Sequence, residues 1–155
     1  MRGTFASAAA LAASVVLVLT AGGQPSAPHR PLAHWDESRL SQPQYQVRVE
    51  KNVMVRARDG VALATGLYLP EAPGRFPTLL WRNCYGKDSE GTAEQSKWYA
   101  SRGYVVAHQD TRGKHASEGT FTHFRDEADD GFDTDEWIGA QPWSNGKIGL
   151  MGGSY

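Results

Sequence analysis

An α/β fold, with a β-hairpin leading into parallel strands and flanking helices, is predicted by three observations. Two alternating apolar runs, Val47–Arg56 and Val61–Leu69, flank the turn signal Arg58-Asp59-Gly60. The continuously apolar segment Thr78–Trp81 and a further buried strand at Tyr104–Gln109 then alternate with stretches of helical character, as strands of a parallel sheet do. The chain closes on Ile148-Gly149-Leu150-Met151-Gly152-Gly153-Ser154-Tyr155, a short apolar strand running into a glycine-flanked serine.

Met1 to Gly23 reads as a secretory signal: Arg2 is the only charge before the apolar run Ala8–Leu19, and the small residues Thr20–Gly23 follow. That run is shorter than the roughly 20 residues needed to span a bilayer. A secreted or periplasmic product with no stable membrane insertion after cleavage is therefore expected. Gln24 to Gln46, rich in Pro, Ser and Ala and without a sustained period, reads as a linker or loosely packed arm, leaving residues 47–155 for the folded part. A length of 155 residues suits one modest domain or a piece of a larger one, and a net charge of −1 gives no footprint for nucleic acid. The single cysteine, Cys84, excludes an internal disulfide and is read as a small buried hydrophobe.

In the first strand Val47, Val49, Val53 and Val55 alternate with charges, which suits half burial. Asp59-Gly60 turns the chain, with Gly60 where positive φ is needed, and Val61, Leu63, Thr65, Leu67 and Leu69 share one face of the second strand. Ala93–Ser101 reads as a helix with Thr92 as N-cap and Gly103 beyond its end. Asp126–Gly139 reads as a second helix, acidic in its first turn, with Ala128, Phe132, Thr134, Trp137 and Ile138 as its inward stripe. In open parallel sheets sites form where loops leave the carboxyl ends of strands. The loops Arg82–Tyr85, Asp110–Gly113 and Gly152–Tyr155 are thus expected to converge.

A buried strand feeding a glycine-flanked serine is how an α/β-hydrolase presents its nucleophile, on a turn so tight that neighbouring residues must be small. Gly152, Gly153, Ser154 and Tyr155 fill the first four places of G-x-S-x-G. Alone, this run is a weak signal and reads first as a glycine-rich turn after a core strand. An ordered series accompanies it: R-D-G at Arg58–Gly60, L-Y-x-P at Leu67–Pro70, R-N-x-Y-G-K at Arg82–Lys87, D-T-R-G at Asp110–Gly113 and S-E-G at Ser117–Gly119. D-E-A at Asp126–Ala128, D-T-x-E-W at Asp133–Trp137 and Q-P-W-S-N-G-K-I-G at Gln141–Gly149 continue it. From Val53 to Tyr155 the chain resembles the N-terminal part of the cocaine esterase / X-prolyl dipeptidyl-peptidase family of α/β-hydrolases.

The resemblance implies a serine hydrolase of the acyl-transfer type acting on a small-molecule ester or short peptide, with no cofactor and no metal. Ser154 falls on the family nucleophile. Tyr155 would donate its backbone N–H to the oxyanion, and Tyr85 its hydroxyl. The family usually has Pro where Cys84 stands. Asp110, Arg112, Asp133 and Trp137 are read as structural, Arg112 pairing with acidic neighbours.

In α/β-hydrolases the triad acid and histidine follow the serine, and none of the five histidines here occupies the place of the family base. His108 lies on a strand, His115 and His123 lie in the loop beyond D-T-R-G, and His29 and His34 lie in the arm. The expectation is therefore an N-terminal portion of the fold, truncated at the nucleophile elbow: a fragment of a larger enzyme, poorly soluble and inactive as written, with Ile148–Met151 as an open apolar edge. Rival readings fare worse. Gly86-Lys87, Gly113-Lys114 and Gly146-Lys147 are not followed by Ser or Thr, so no P-loop is present. An EF-hand loop set from Asp126 has Ala128 at the third place and Trp137 at the twelfth, and His108, Asp110, His115 and His123 lack the spacing of a closed metal site. The surviving non-enzyme alternative is a secreted, non-catalytic α/β binding module.

Overall fold

The computed structural model describes Ser38 and residues 40–155; the signal and most of the arm lie outside the described residues. Five strands and two helices follow in the order β1 (Val47–Arg56), β2 (Ala62–Pro70), β3 (Phe76–Asn83), α1 (Glu90–Ala100), β4 (Val105–Asp110), α2 (Glu127–Gly139) and β5 (Ser144–Met151). They form one sheet of order β1-β2-β4-β3-β5, in which β1, β2 and β4 pair antiparallel and β4, β3 and β5 pair parallel.

The hairpin forms as expected: Gly60 takes φ 92° and its N–H donates to Ala57 O at 2.8 Å. Register slips by one residue between Glu50 and Val53, where Asn52 takes a left-handed φ of 53°. This bulge restarts the alternation of β1, leaving Val49 exposed and Val55 buried. Strand β2 departs from the expected one-sided pattern, because all nine of its residues are buried. It lies between β1 and β4, and a second layer covers its other face. The Ala62 and Ala64 N–H groups donate to Glu118 Oε2 and Ser117 Oγ, and Tyr68 packs with Ala100 and Val106 beneath α1.

Helix α1 begins three residues earlier than its apolar pattern suggests. Ser89, not Thr92, is the N-cap, and Thr92 N–H donates to Ser89 Oγ at 3.4 Å. Either hydroxyl satisfies the capping chemistry, and the earlier one stands at the end of the loop. The α2 stripe is also corrected. Asp130, Thr134 and Ile138 form the buried face, whereas Ala128 and Phe132 are exposed toward an open groove of about 490 Å³ between α2 and β5. A polar residue wins the inward position because Arg112 meets Asp130 there at 2.6 Å. The structural reading of Arg112 holds, since its other arm pairs with Asp59 at 2.6 Å. Asp133 accepts from the Arg58 guanidinium, and Trp137 packs edge-on against Trp143.

The core divides by sheet face. Leu67, Leu69, Leu80, Val105, Ala107 and Ile138 form the α2 side, and Tyr68, Ala100 and Val106 the α1 side. The β3-to-β4 and β4-to-β5 crossovers share one hand but run in opposite directions across the sheet, which places the two helices on opposite faces. The loops after β3 and β4 therefore leave neighbouring strands toward opposite faces, opening a crevice at those carboxyl ends. Among the described residues β1 and β5 are the two sheet edges, and on β5 Leu150 is 75% exposed. No helix among the described residues is long and apolar enough to cross a membrane.

Candidate active site

The crevice holds the expected side chains. Ser154 follows β5 with φ 68°, a left-handed conformation that few non-glycine residues adopt and that carries its side chain away from the strand direction. Tyr85, two residues beyond β3, points its hydroxyl at Ser154 Oγ over 3.2 Å. Both residues are exposed, Tyr85 to 61%. Tyr155 sits beside them, its ring edge-on to that of Tyr85 with centroids 6.5 Å apart.

Convergence of the three loops is partial. The loop after β4 joins through its backbone, Thr111 N–H donating to Asn83 O at 3.0 Å, and through Asp110, which accepts from Lys87 N–H at 2.8 Å. Its other named side chain, Arg112, turns toward Asp59 and Asp130 instead. The Lys87 ammonium is buried between Asp88 at 2.6 Å and Asp110 at 3.4 Å. Burial opposes its charge, but the two carboxylates outweigh it and hold the group above the ordinary lysine range. Cys84 is half-buried rather than buried, because it lies on the turn from β3 to Tyr85, where its carbonyl accepts from His115 Nε2 at 3.1 Å.

Asn83 holds the Tyr85 turn, a role the composition of R-N-x-Y does not announce. Its Oδ1 accepts from Tyr85 N–H at 2.9 Å, which leaves Nδ2 to donate to His108 Nε2 at 2.8 Å. This network assigns His108 the neutral tautomer protonated at Nδ1. The imidazole is fully buried and stacked on Trp81 at 4.9 Å. Burial, against the opposing pull of Asp110, drives its pKa from 6.5 down to about 4.

That depression has a sign. Unfolded chains take up the proton near pH 6.5 and the folded protein only near 4, so folding stability is complete above 6.5 and falls as pH drops toward 4. A shift of this size corresponds to roughly 3 kcal/mol. Urea midpoints measured from pH 7 to pH 4.5 should fall more steeply for the parent than for His108→Leu; parallel curves would remove His108 as the cause.

Tyr155 is enclosed by the loop between β4 and α2. Phe124 stacks on its ring at 4.7 Å, and His123 and Phe121 approach to 5.3 and 6.1 Å. Its hydroxyl donates to Glu127 Oε1 at 2.9 Å. His123 has ring contacts here but no hydrogen bond to Ser154; His115 bonds Cys84 and His108 bonds Asn83. Among the described residues no group of His, Cys, Asp and Glu is arranged to hold a metal ion.

Known proteins share this arrangement of sequence and fold. Cocaine esterase of Rhodococcus sp. (strain MB1 Bresler) is 45% identical over 111 residues, covering 69% of this chain and 19% of that protein. A CocE/NonD family hydrolase from Staphylococcus aureus superposes with TM-score 0.61 at 28% identity, over 67% of this chain and 22% of that one. An α-amino acid ester hydrolase superposes with TM-score 0.58 at 28% identity, over 86% of this chain and 24% of that one. The chain thus spans about a fifth of the length of the curated relatives it matches. A family model described as X-Pro dipeptidyl-peptidase (S15 family) matches residues 59–155, the stretch that carries the ordered motifs and the crevice, and the chain belongs to that family of α/β-hydrolases.

Proposed function

We propose that residues 47–155 supply the nucleophile and oxyanion donors of a serine acyl-transfer hydrolase that cleaves a small-molecule ester or a short peptide. One observation carries this reading: the Tyr85 hydroxyl lies 3.2 Å from Oγ of a serine held at φ 68°. Ser154 Oγ attacks the substrate carbonyl carbon as its proton passes to a general base, and the oxygen that gains negative charge takes hydrogen bonds from the Tyr85 O–H and the Tyr155 backbone N–H. Collapse expels the alcohol or amine, which takes that proton from the base, and water, deprotonated by the same base, then cleaves the acyl-enzyme and releases the acid. The kinship to cocaine esterase favours an ester, with an aromatic ester of a small acyl group as the first substrate to try.

Among the described residues none of His108, His115 and His123 hydrogen-bonds to Ser154, so the base and the acid that orients it are proposed to come from elsewhere in the protein. Residues 1–155 by themselves are accordingly proposed to be inactive, with the open β5 edge favouring association. A leader-directed export to the periplasm or the medium fits the apolar run Ala8–Leu19.

A fluorophosphonate probe tests the assignment. The product of the full reading frame should be labelled at Ser154 and its Ser154→Ala variant should not, while residues 1–155 alone should stay unlabelled. An unlabelled full-length product would favour a non-catalytic binding module instead. Labelling of residues 1–155 alone would overturn the inactivity of the piece.

A further inference from the structure

We infer that Glu127 is a positioning residue for the oxyanion site: through the Tyr155 phenol it sets the direction of the Tyr155 backbone N–H. This rests on the function proposed above and adds residues to it. The Tyr155 ring is a rigid lever with two rotatable bonds between the phenol and its own peptide. Stacking on Phe124 at 4.7 Å confines the plane of the ring, and the 2.9 Å hydrogen bond to Glu127 Oε1 fixes its far end. An O–H donating to a carboxylate is among the stronger hydrogen bonds a tyrosine makes. The phenol remains a donor, because burial and the Glu127 bond both push its pKa above 10.

The carboxylate is itself held. Its second oxygen pairs with Arg82 Nη1 at 2.9 Å, and the same Nη1 donates to the Glu127 carbonyl at 2.9 Å. Arg82 Nε donates to Gln109 Oε1 at 2.8 Å, and Gln109 Nε2 donates to the buried Thr65 Oγ1 at 2.9 Å. Arg82 stands near the end of β3, three residues before Tyr85. One carboxylate therefore ties the strand that delivers the hydroxyl donor to the residue that delivers the backbone donor, and the network ends inside the sheet. Spacing between two oxyanion donors must hold to within a fraction of an ångström, and loss of such alignment costs up to ~100-fold in rate. A tether meeting both loops at once holds that spacing.

If the contact served only to fasten α2 to the elbow, its removal would lower thermal stability and leave turnover unchanged. Tyr155→Phe, which keeps the ring and the peptide, separates the two cases in the full-length enzyme. It should lower kcat by about tenfold at unchanged KM. Glu127→Ala should do the same, and the double variant should be no slower than either single one. Glu127→Gln, which retains an acceptor oxygen, should recover most of the rate. A Tyr155→Phe enzyme with kcat within twofold of the parent, still labelled by the fluorophosphonate at Ser154, would overturn the inference and leave the proposed function standing. A parent enzyme that the probe fails to label would overturn the function beneath it.

Discussion

Tyr85→Phe should lower kcat of the full-length enzyme by about 10²–10³-fold, with KM changed by less than threefold. The substitution removes one oxygen from a side chain that is 61% exposed and whose hydroxyl has Ser154 Oγ as its partner. Little packing is lost, so folding stability should stay within ~0.5 kcal/mol of the parent, as for surface changes generally. The donor is wanted only when the carbonyl oxygen becomes an anion; a neutral ester oxygen gains far less from the same hydrogen bond. An interaction made mainly in the transition state lowers kcat and kcat/KM together and spares KM. Stopped-flow acylation with a chromogenic ester would read the effect on the first chemical step. A Tyr85→Phe enzyme acylating at the parent rate would remove the phenol from the oxyanion site.

Much of this site is legible in the chain, for a physical reason. Strands buried on both faces leave apolar runs, and the loops at their carboxyl ends begin at the first polar residues after those runs. The loops Arg82–Tyr85, Asp110–Gly113 and Gly152–Tyr155 can be expected at strand ends from that pattern, although Arg82 and Asn83 still belong to β3 and β5 is an exposed edge. What the pattern hides is polar burial. Asp130 faces inward where an apolar stripe through Phe132 is expected, because Arg112 and Arg82 both reach that carboxylate, and a partner 18 residues away leaves no periodic mark. Asn83 and His108 are hidden likewise, their bond joining neighbouring strands 25 residues apart. Glu127 is visible in D-E-A only as a helix-opening acid; its bond to Tyr155 depends on how the loop carrying Phe121, His123 and Phe124 folds over the elbow.

That loop is held near its start by Gly113, and Gly113→Ala should be the most damaging small change outside the reacting groups. Gly113 takes φ 68°, and its N–H donates to Glu118 O at 2.8 Å, closing the turn after β4. A Cβ built there would overlap Phe121 N and Thr120 C and lie 2.9 Å from Thr120 Cα. Every one of those atoms is backbone, so no rotamer change relieves the clash. The left-handed conformation costs a non-glycine residue about 1–2 kcal/mol, and overpacking against an unyielding neighbour adds about 1–3 more. Together they put the loss at about 2–5 kcal/mol, a large part of the stability of a small domain. The relief open to the chain is to push residues 120–121 outward, which withdraws Phe121 from the Tyr155 ring. Stability and acylation rate should therefore fall together in Gly113→Ala, whereas Gly60→Ala should cost only the conformational term. The Gly60 turn also has positive φ, at 92°, but nothing within 4 Å of the added methyl. Equal urea midpoints for the two alanine variants would show that the Thr120–Phe121 backbone yields freely, and that the cover over the elbow is not held from Gly113.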